Sequence, residues 1–306
     1  AGVAQDAQIT LEKIWKSSEF SARSVSGIRS MKDGIHYTRM AFDESGGQYI
    51  IKHAYDTGAE VDTLLKPSDT RIDSLNRFKF TNYSFNDEEN RLLLATDTEA
   101  IYRRSWRANY YAFDLNTGTL KPVTEFGLGK QSLAAFSPVG NQVAFVRNND
   151  IFIADLDEGT ETRVTDDGVQ NKIINGAVDW VYEEEFSFHR GFYWSPEGTK
   201  IAYYRFDESE VREFSMDIYG GLYPQPYEFK YPKAGVKNSE VRILVYNLAS
   251  QKSRDVRIDP DPEQYIPRIK WSKSDNELCV MRMNRHQSHL EFLLADTRAK
   301  SADIPV

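Results

Sequence analysis

An all-β chain built from repeated antiparallel units is what this sequence predicts, and three observations carry the expectation. Aromatic residues make up 13% of the chain, including 17 Tyr and 17 Phe, and aromatic side chains favour pleated strands over helices. Short alternating apolar runs are punctuated by Ser-Pro, Asn-Asp and Gly turns, the pattern of strands joined by tight reversals. One unit also recurs: an aromatic residue, a polar turn, an apolar strand, then a second strand.

The elements follow in chain order. Ile9 to Trp15 has helical apolar spacing at Leu11, Ile14 and Trp15, so residues 1–27 are expected to stand outside the repeats and residues 28–306 to form the strand domain. Tyr49-Ile50-Ile51 with the turn Asp56-Thr57-Gly58 reads as the tail of a first unit. Phe85-Asn86-Asp87 precedes the strand Arg91–Ala95, and Phe136-Ser137-Pro138-Val139-Gly140 precedes Val143–Val146 and then Ile151–Asp155. Trp194-Ser195-Pro196-Glu197-Gly198 leads into Ile201–Tyr204, and Trp271-Ser272-Lys273-Ser274-Asp275 into Leu278–Met281 and Phe292–Asp296. Units of about 40–50 residues made of short strands indicate β-propeller blades. About five four-stranded blades fit 306 residues, and they are expected to form an open arc. The aromatic markers are spaced 51, 58 and 77 residues apart. The surplus falls at about 175–190 and 206–236, and insertions between blade strands are where such a scaffold carries function.

Composition excludes several classes. A formal net charge of −8 argues against a general nucleic-acid binder, which needs a basic surface. The single cysteine, Cys279, cannot form an internal disulfide and reads as a small buried hydrophobe. No run approaches the roughly 18 apolar residues of a membrane helix. The opening Ala1-Gly2-Val3-Ala4-Gln5 lacks a basic region and an apolar core, so any secretory signal is expected to have been removed, with a periplasmic or secreted setting. His286 and His289 are three apart but read as a turn with no third ligand. His36, His53 and His189 are isolated, and no glycine-rich phosphate loop is present. No metal or other cofactor is expected.

The segment Asp179-Trp180-Val181-Tyr182-Glu183-Glu184-Glu185-Phe186 carries the most chemistry. Three adjacent carboxylates sit among Trp180, Tyr182, Phe186 and Phe188, where like charges are costly without a compensating cation. No equal basic run lies nearby, and the free α-ammonium of a peptide, with three donors, suits two convergent carboxylates. Local capping or salt-bridging of the glutamates is the competing reading. Neighbouring helical residues point about 100° apart, so a shared ammonium requires a short or irregular helix.

This string closely resembles the double-glutamate motif of the dipeptidyl peptidase IV family. The resemblance continues through Trp194–Gly198 and Tyr231-Pro232-Lys233-Ala234-Gly235, reaches upstream to Ser105-Trp106-Arg107, and covers essentially the whole chain. It implies an eight-bladed propeller followed by an α/β-hydrolase domain, so this chain is expected to be an N-terminal portion, with residues 1–27 packing on that hydrolase domain. It implies that Glu184 and Glu185 hold the substrate's N-terminus, that Glu183, Trp180 and Tyr182 stand in an outer shell, and that Arg107 donates to the peptide carbonyl beside the amine. Arg103 and Arg104 are expected outside the pocket. The activity implied is a serine exopeptidase releasing X-Pro and X-Ala dipeptides. The chain has no Gly-x-Ser-x-Gly elbow, so alone it is expected to be silent.

The alternative function is a non-catalytic propeller serving as a protein or peptide interaction module; a carbohydrate-binding propeller is a weaker third, suggested by the abundant Tyr and Trp. A Gly-x-Ser-x-Gly motif downstream, followed by Asp and His, would decide for the peptidase. Residues 206–236, with Tyr219, Leu222, Tyr223, Tyr227, Phe229 and Tyr231 among Pro224, Pro226 and Pro232, have the length of a two-stranded arm. Tyr-rich surfaces are typical of interfaces, and the resemblance implies a homodimer formed partly through this arm.

Overall fold

The computed structural model describes residues 8–22, 24–70, 79–258 and 263–306. Two compact units divide the chain, residues 1–67 and 68–306. The first holds a one-turn helix α1 (Leu11–Trp15), capped by the Thr10 hydroxyl accepting from the Lys13 amide, as the spacing of Leu11, Ile14 and Trp15 predicts. It also holds one antiparallel meander: β1 (Arg29–Ser30), β2 (His36–Phe42), β3 (Gln48–Ala54) and β4 (Glu60–Leu65).

The second unit continues the blade pattern. β5 (Phe80–Phe85), β6 (Arg91–Ala100), β7 (Trp106–Asp114) and β8 (Leu120–Pro122) form one blade. The next is β9 (Gln131–Phe136), β10 (Gln142–Arg147), β11 (Asp150–Asp155) and β12 (Thr160–Arg163). β7 pairs with β9 through Arg107 opposite Ser132, so these two blades run into one eight-stranded sheet. The following blade contains β13 (Ile173–Asn175), the helix α2 (Trp180–Phe186), β14 (Phe192–Trp194) and β15 (Lys200–Asp207). A separate ribbon, β16 (Glu213–Ile218) and β17 (Gln225–Lys230), projects before the blade closes with β18 (Glu240–Asn247) and β19 (Lys252–Asp255). The last sheet is β20 (Gln264–Trp271), β21 (Glu277–Asn284) and β22 (Leu290–Asp296). The chain is thus an all-β propeller portion whose two sequence surpluses are a helix and a two-stranded arm.

The aromatic markers have one structural meaning. Phe85, Phe136, Trp194 and Trp271 each end the first strand of a pair, at β5, β9, β14 and β20. The next residue's amide then donates across the turn to the carbonyl five positions on: Asn86 to Arg91, Ser137 to Gln142, Ser195 to Lys200 and Ser272 to Glu277, at 2.8–3.1 Å.

Alternation along each second strand divides its side chains between two cores. Val143 and Phe145 of β10 join Leu93, Ala95, Tyr110 and Ala112 of the preceding blade. Ala144 and Val146, on the other face, join Ile201 and Tyr203 of the next. Ala202, Tyr204 and Phe206 of β15 then pack with Ile269, Trp271, Leu278 and Val280 of the last sheet. Burial on both faces explains why these strands read as near-continuous apolar runs.

Candidate functional site

The acidic run lies on α2, and its neighbours explain why a helix forms there. Asp179 is the N-cap: its carboxylate accepts from the Tyr182 amide at 2.9 Å and from the Ser239 hydroxyl at 2.7 Å, satisfying one of the amides a helix start leaves free. Burial pushes the Asp179 carboxyl above the usual range, while those two donors oppose the shift. Tyr182 anchors the helix from below. It is 2% exposed, accepts the Ile266 amide on its hydroxyl at 2.9 Å, and meets Phe206 edge-on with ring centroids 4.8 Å apart. Ser187, in the left-handed region at φ 58°, ends the helix.

The three glutamates diverge from this short helix. Glu183 is 1% exposed and turns inward, where its carboxylate accepts the amides of Arg104 at 2.6 Å and Ser105 at 2.9 Å. Glu184 is half-buried and pairs with the exposed Arg103 guanidinium at 3.2 Å. Glu185 is exposed and has no hydrogen-bond or ion-pair partner among the described residues. Arg103 and Arg104 therefore touch the run itself, one by its side chain and one by its backbone, although neither lines the cleft described next.

Arg107 lies on β7 at the junction of the two merged blades, opposite Glu99 on one side and Ser132 on the other. Its Nε donates to Glu99 at 2.7 Å. Lys130 donates to the same carboxylate at 2.7 Å and to Asp97 at 2.8 Å. The hydrogen bonds from Lys130 and Arg107 hold the Glu99 carboxyl below its ordinary range. Glu99 gave no signal in the sequence, because its partnership depends on a bulge in β6 between Thr96 and Glu99.

Arg107 and Glu183 share a cleft of about 350 Å³, together with Tyr102, Ser105, Lys130, Glu208 and Tyr227. Glu184 and Glu185 do not line it. The structure thus brings Arg107 and the first glutamate together in this cleft and leaves the second and third outside it. The arm adjoins this region: the Tyr227 hydroxyl donates to the Ile101 carbonyl at 3.1 Å, and Trp180 packs on Tyr231 with centroids 4.4 Å apart. Burial pushes the Tyr102 hydroxyl up, with the charges of nearby acids adding to it.

Among the described residues no group of His, Cys, Asp and Glu is placed to hold a metal, and His289 instead faces Glu291 at 3.5 Å. Nor is any described helix long and apolar enough to cross a membrane.

Comparison with known proteins gives the family and the fold. The family model described as the dipeptidyl peptidase IV N-terminal region matches residues 86–305. Dipeptidyl peptidase 4 of Trichophyton tonsurans is 32% identical over 235 residues, covering 74% of this chain and 30% of that protein. The probable dipeptidyl-aminopeptidase B of Tuber melanosporum is 29% identical over 327 residues, covering 97% of this chain and 35% of that protein. The crystal structure of Porphyromonas gingivalis dipeptidyl peptidase 4 superposes with a TM-score of 0.84 at 40% identity, over 98% of this chain and 42% of that one. The chain spans about a third of the length of the curated relatives it matches.

Proposed function

This chain belongs to the dipeptidyl peptidase IV family, and from that premise we propose that the full-length protein is a serine exopeptidase that removes X-Pro and X-Ala dipeptides from free peptide N-termini. In this reading Glu184 and Glu185 take the substrate ammonium, and Arg107 takes the carbonyl beside it. The observation that carries it is the state of the two carboxylates. Among the described residues Glu185 is unpartnered and Glu184 is met only by an arginine 74% exposed, so a ligand can claim both without breaking a buried contact. Glu183, by contrast, is spent on two backbone amides and serves as a structural tie. Anchoring the amine at a fixed distance from the scissile bond sets the length of the fragment released, and an ammonium between two carboxylates forms charge-assisted bonds. Residues supplying the nucleophile, its base and the orienting acid belong to a hydrolase domain beyond this chain, and the protein is assigned to a periplasmic or secreted setting.

The test is kinetic. In the full-length protein, Glu184→Ala and Glu185→Ala each lower kcat/KM for a Gly-Pro reporter by about tenfold or more, the effect of losing a charge-assisted hydrogen bond. The N-acetylated reporter is expected to resist cleavage; equal turnover of acetylated and free substrates refutes the anchoring role.

A further inference from the structure

The cleft has an acidic wall that neither the motif nor the repeat pattern marks. Glu208 follows β15 and is only 6% exposed, with its backbone held by the Lys172 carbonyl at 2.8 Å and the Val211 amide at 3.0 Å. Its side chain lines the cleft without a hydrogen-bond or ion-pair partner among the described residues. Every cation on the cleft wall is already engaged elsewhere. Arg107 pairs with Glu99 and Lys130 with Glu99 and Asp97. Arg147 donates to Glu161 at 2.9 Å. Burial lowers the affinity of His189 for a proton. Glu183 is bonded to two amides and, among the described residues, to no cation. Among the described residues the cleft is therefore left without a free cation for the Glu208 carboxyl, and Tyr102 and Tyr227 line it as well.

A poorly solvated carboxylate without a donor is unfavourable unless a ligand supplies one. A carboxylate that shares a cleft with tyrosines suits an alkylammonium or guanidinium, which gains a charge-assisted bond and can meet the rings. We propose that the Glu208 end of this cleft is a subsite for a positively charged side chain, that of Lys or Arg, at the first position of the bound peptide. The proposal rests on the reading that Arg107, which lines the same cleft, takes the carbonyl of the first residue.

The groups facing Glu208 are Asp179 from the helix cap, the adjacent Asp207, Lys230 from β17, and Tyr102. Lys230 donates to the Val211 carbonyl at 2.8 Å and pairs with Glu213 at 3.7 Å. Burial first, then the charges of Asp179 and Asp207 against that of Lys230, lift the Glu208 carboxyl to about 7. It becomes fully charged only above neutrality, so the preference for a cation strengthens as pH rises through that value.

The experiment compares Lys-Pro and norleucine-Pro reporters, equal in chain length and differing in charge, on the full-length protein and its Glu208→Gln variant. The substrate α-amine is common to both reporters and cancels in the ratio. The expected Lys/norleucine ratio of kcat/KM is about tenfold at pH 8. It falls toward one at pH 6, and it lies within about twofold of one in Glu208→Gln at both values. A wild-type ratio near one at pH 8, or a tenfold ratio that survives Glu208→Gln, overturns the subsite. N-acetylated versions of both reporters test the amine anchor separately: if they are cleaved as fast as the free ones, that reading fails, while the ratio still decides the role of Glu208.

Discussion

Glu183 accepts the backbone amide of Ser105 at 2.9 Å across 78 residues of sequence. This bond, with the companion bond from the Arg104 amide, makes the first glutamate of the run a clasp between α2 and the turn that leads into Arg107. A site assembled from two blades needs such a tie, because a displacement of about 1 Å in a substrate-positioning group is enough to lose much of its effect.

The clasp predicts a contrast within the run. Glu183→Ala leaves two part-buried amides without an acceptor, a loss of about 1–3 kcal/mol in unfolding free energy. Glu185→Ala, at an exposed position without partners among the described residues, changes it by less than about 0.5 kcal/mol. Chemical denaturation of the two variants beside the parent checks this, and equal midpoints for both would dismiss the clasp.

Arg107 carries a second prediction. On the proposed role of Arg107 as donor to the peptide carbonyl, Arg107→Ala is expected to lower kcat/KM about ten- to a hundredfold. Glu99→Gln keeps a neutral acceptor opposite Arg107 and acts more weakly, chiefly through KM, because it loosens the guanidinium without removing it. Steady-state kinetics separate the two. A loss from Glu99→Gln as large as that from Arg107→Ala would mean that Glu99 has a more direct part.

Much of this was legible because it depends on local pattern. The aromatic markers Phe85, Phe136, Trp194 and Trp271 end first strands because the polar turn after each forces a reversal, and the second strands are near-continuous apolar runs because both their faces are buried. The arm was legible from its surplus length. Glu208 was not: an acid after a strand reads as a solvated turn, and its burial depends on which distant segments converge there. Likewise Arg103 was expected outside the pocket, and only the placement of α2 gives it Glu184 as a partner. Register and convergence over long sequence distances leave no mark in a single sequence.

The arm supplies a third prediction, on assembly. Its base is fixed, with Phe229 buried and Tyr227 bonded to Ile101, while Tyr219, Leu222 and Tyr223 at the tip are 78%, 92% and 75% exposed. Large exposed apolar and aromatic groups gathered on one loop mark a contact surface. We propose that the full-length protein pairs as a homodimer through this tip, so replacing residues 219–223 with Gly and Asn is expected to convert it to monomer. The base contacts are spared, so the fold around α2 is kept. Light scattering reads the mass, and a dimer that persists would exclude the tip from the interface.

Glu208 also fixes the pH dependence of stability. Its folded-state value, about 7, lies above the ordinary 4.5 of a glutamic acid, so the folded protein holds this proton more tightly than the unfolded chain. The resulting stabilisation is fully present below pH 4.5 and is lost as pH rises through 7. A shift of this size corresponds to about 2–3 kcal/mol once partial solvent access is allowed for. Glu208→Gln has no proton to lose, so its stability relative to the parent is expected to rise by that amount between pH 4.5 and 8, leaving the variant the more stable protein under mildly alkaline conditions. Denaturant midpoints of both proteins at pH 5 and pH 8 measure the difference directly. A difference that does not change with pH would show that the carboxyl is solvated like an ordinary surface glutamate, and would remove the basis for its charge-dependent role in the cleft.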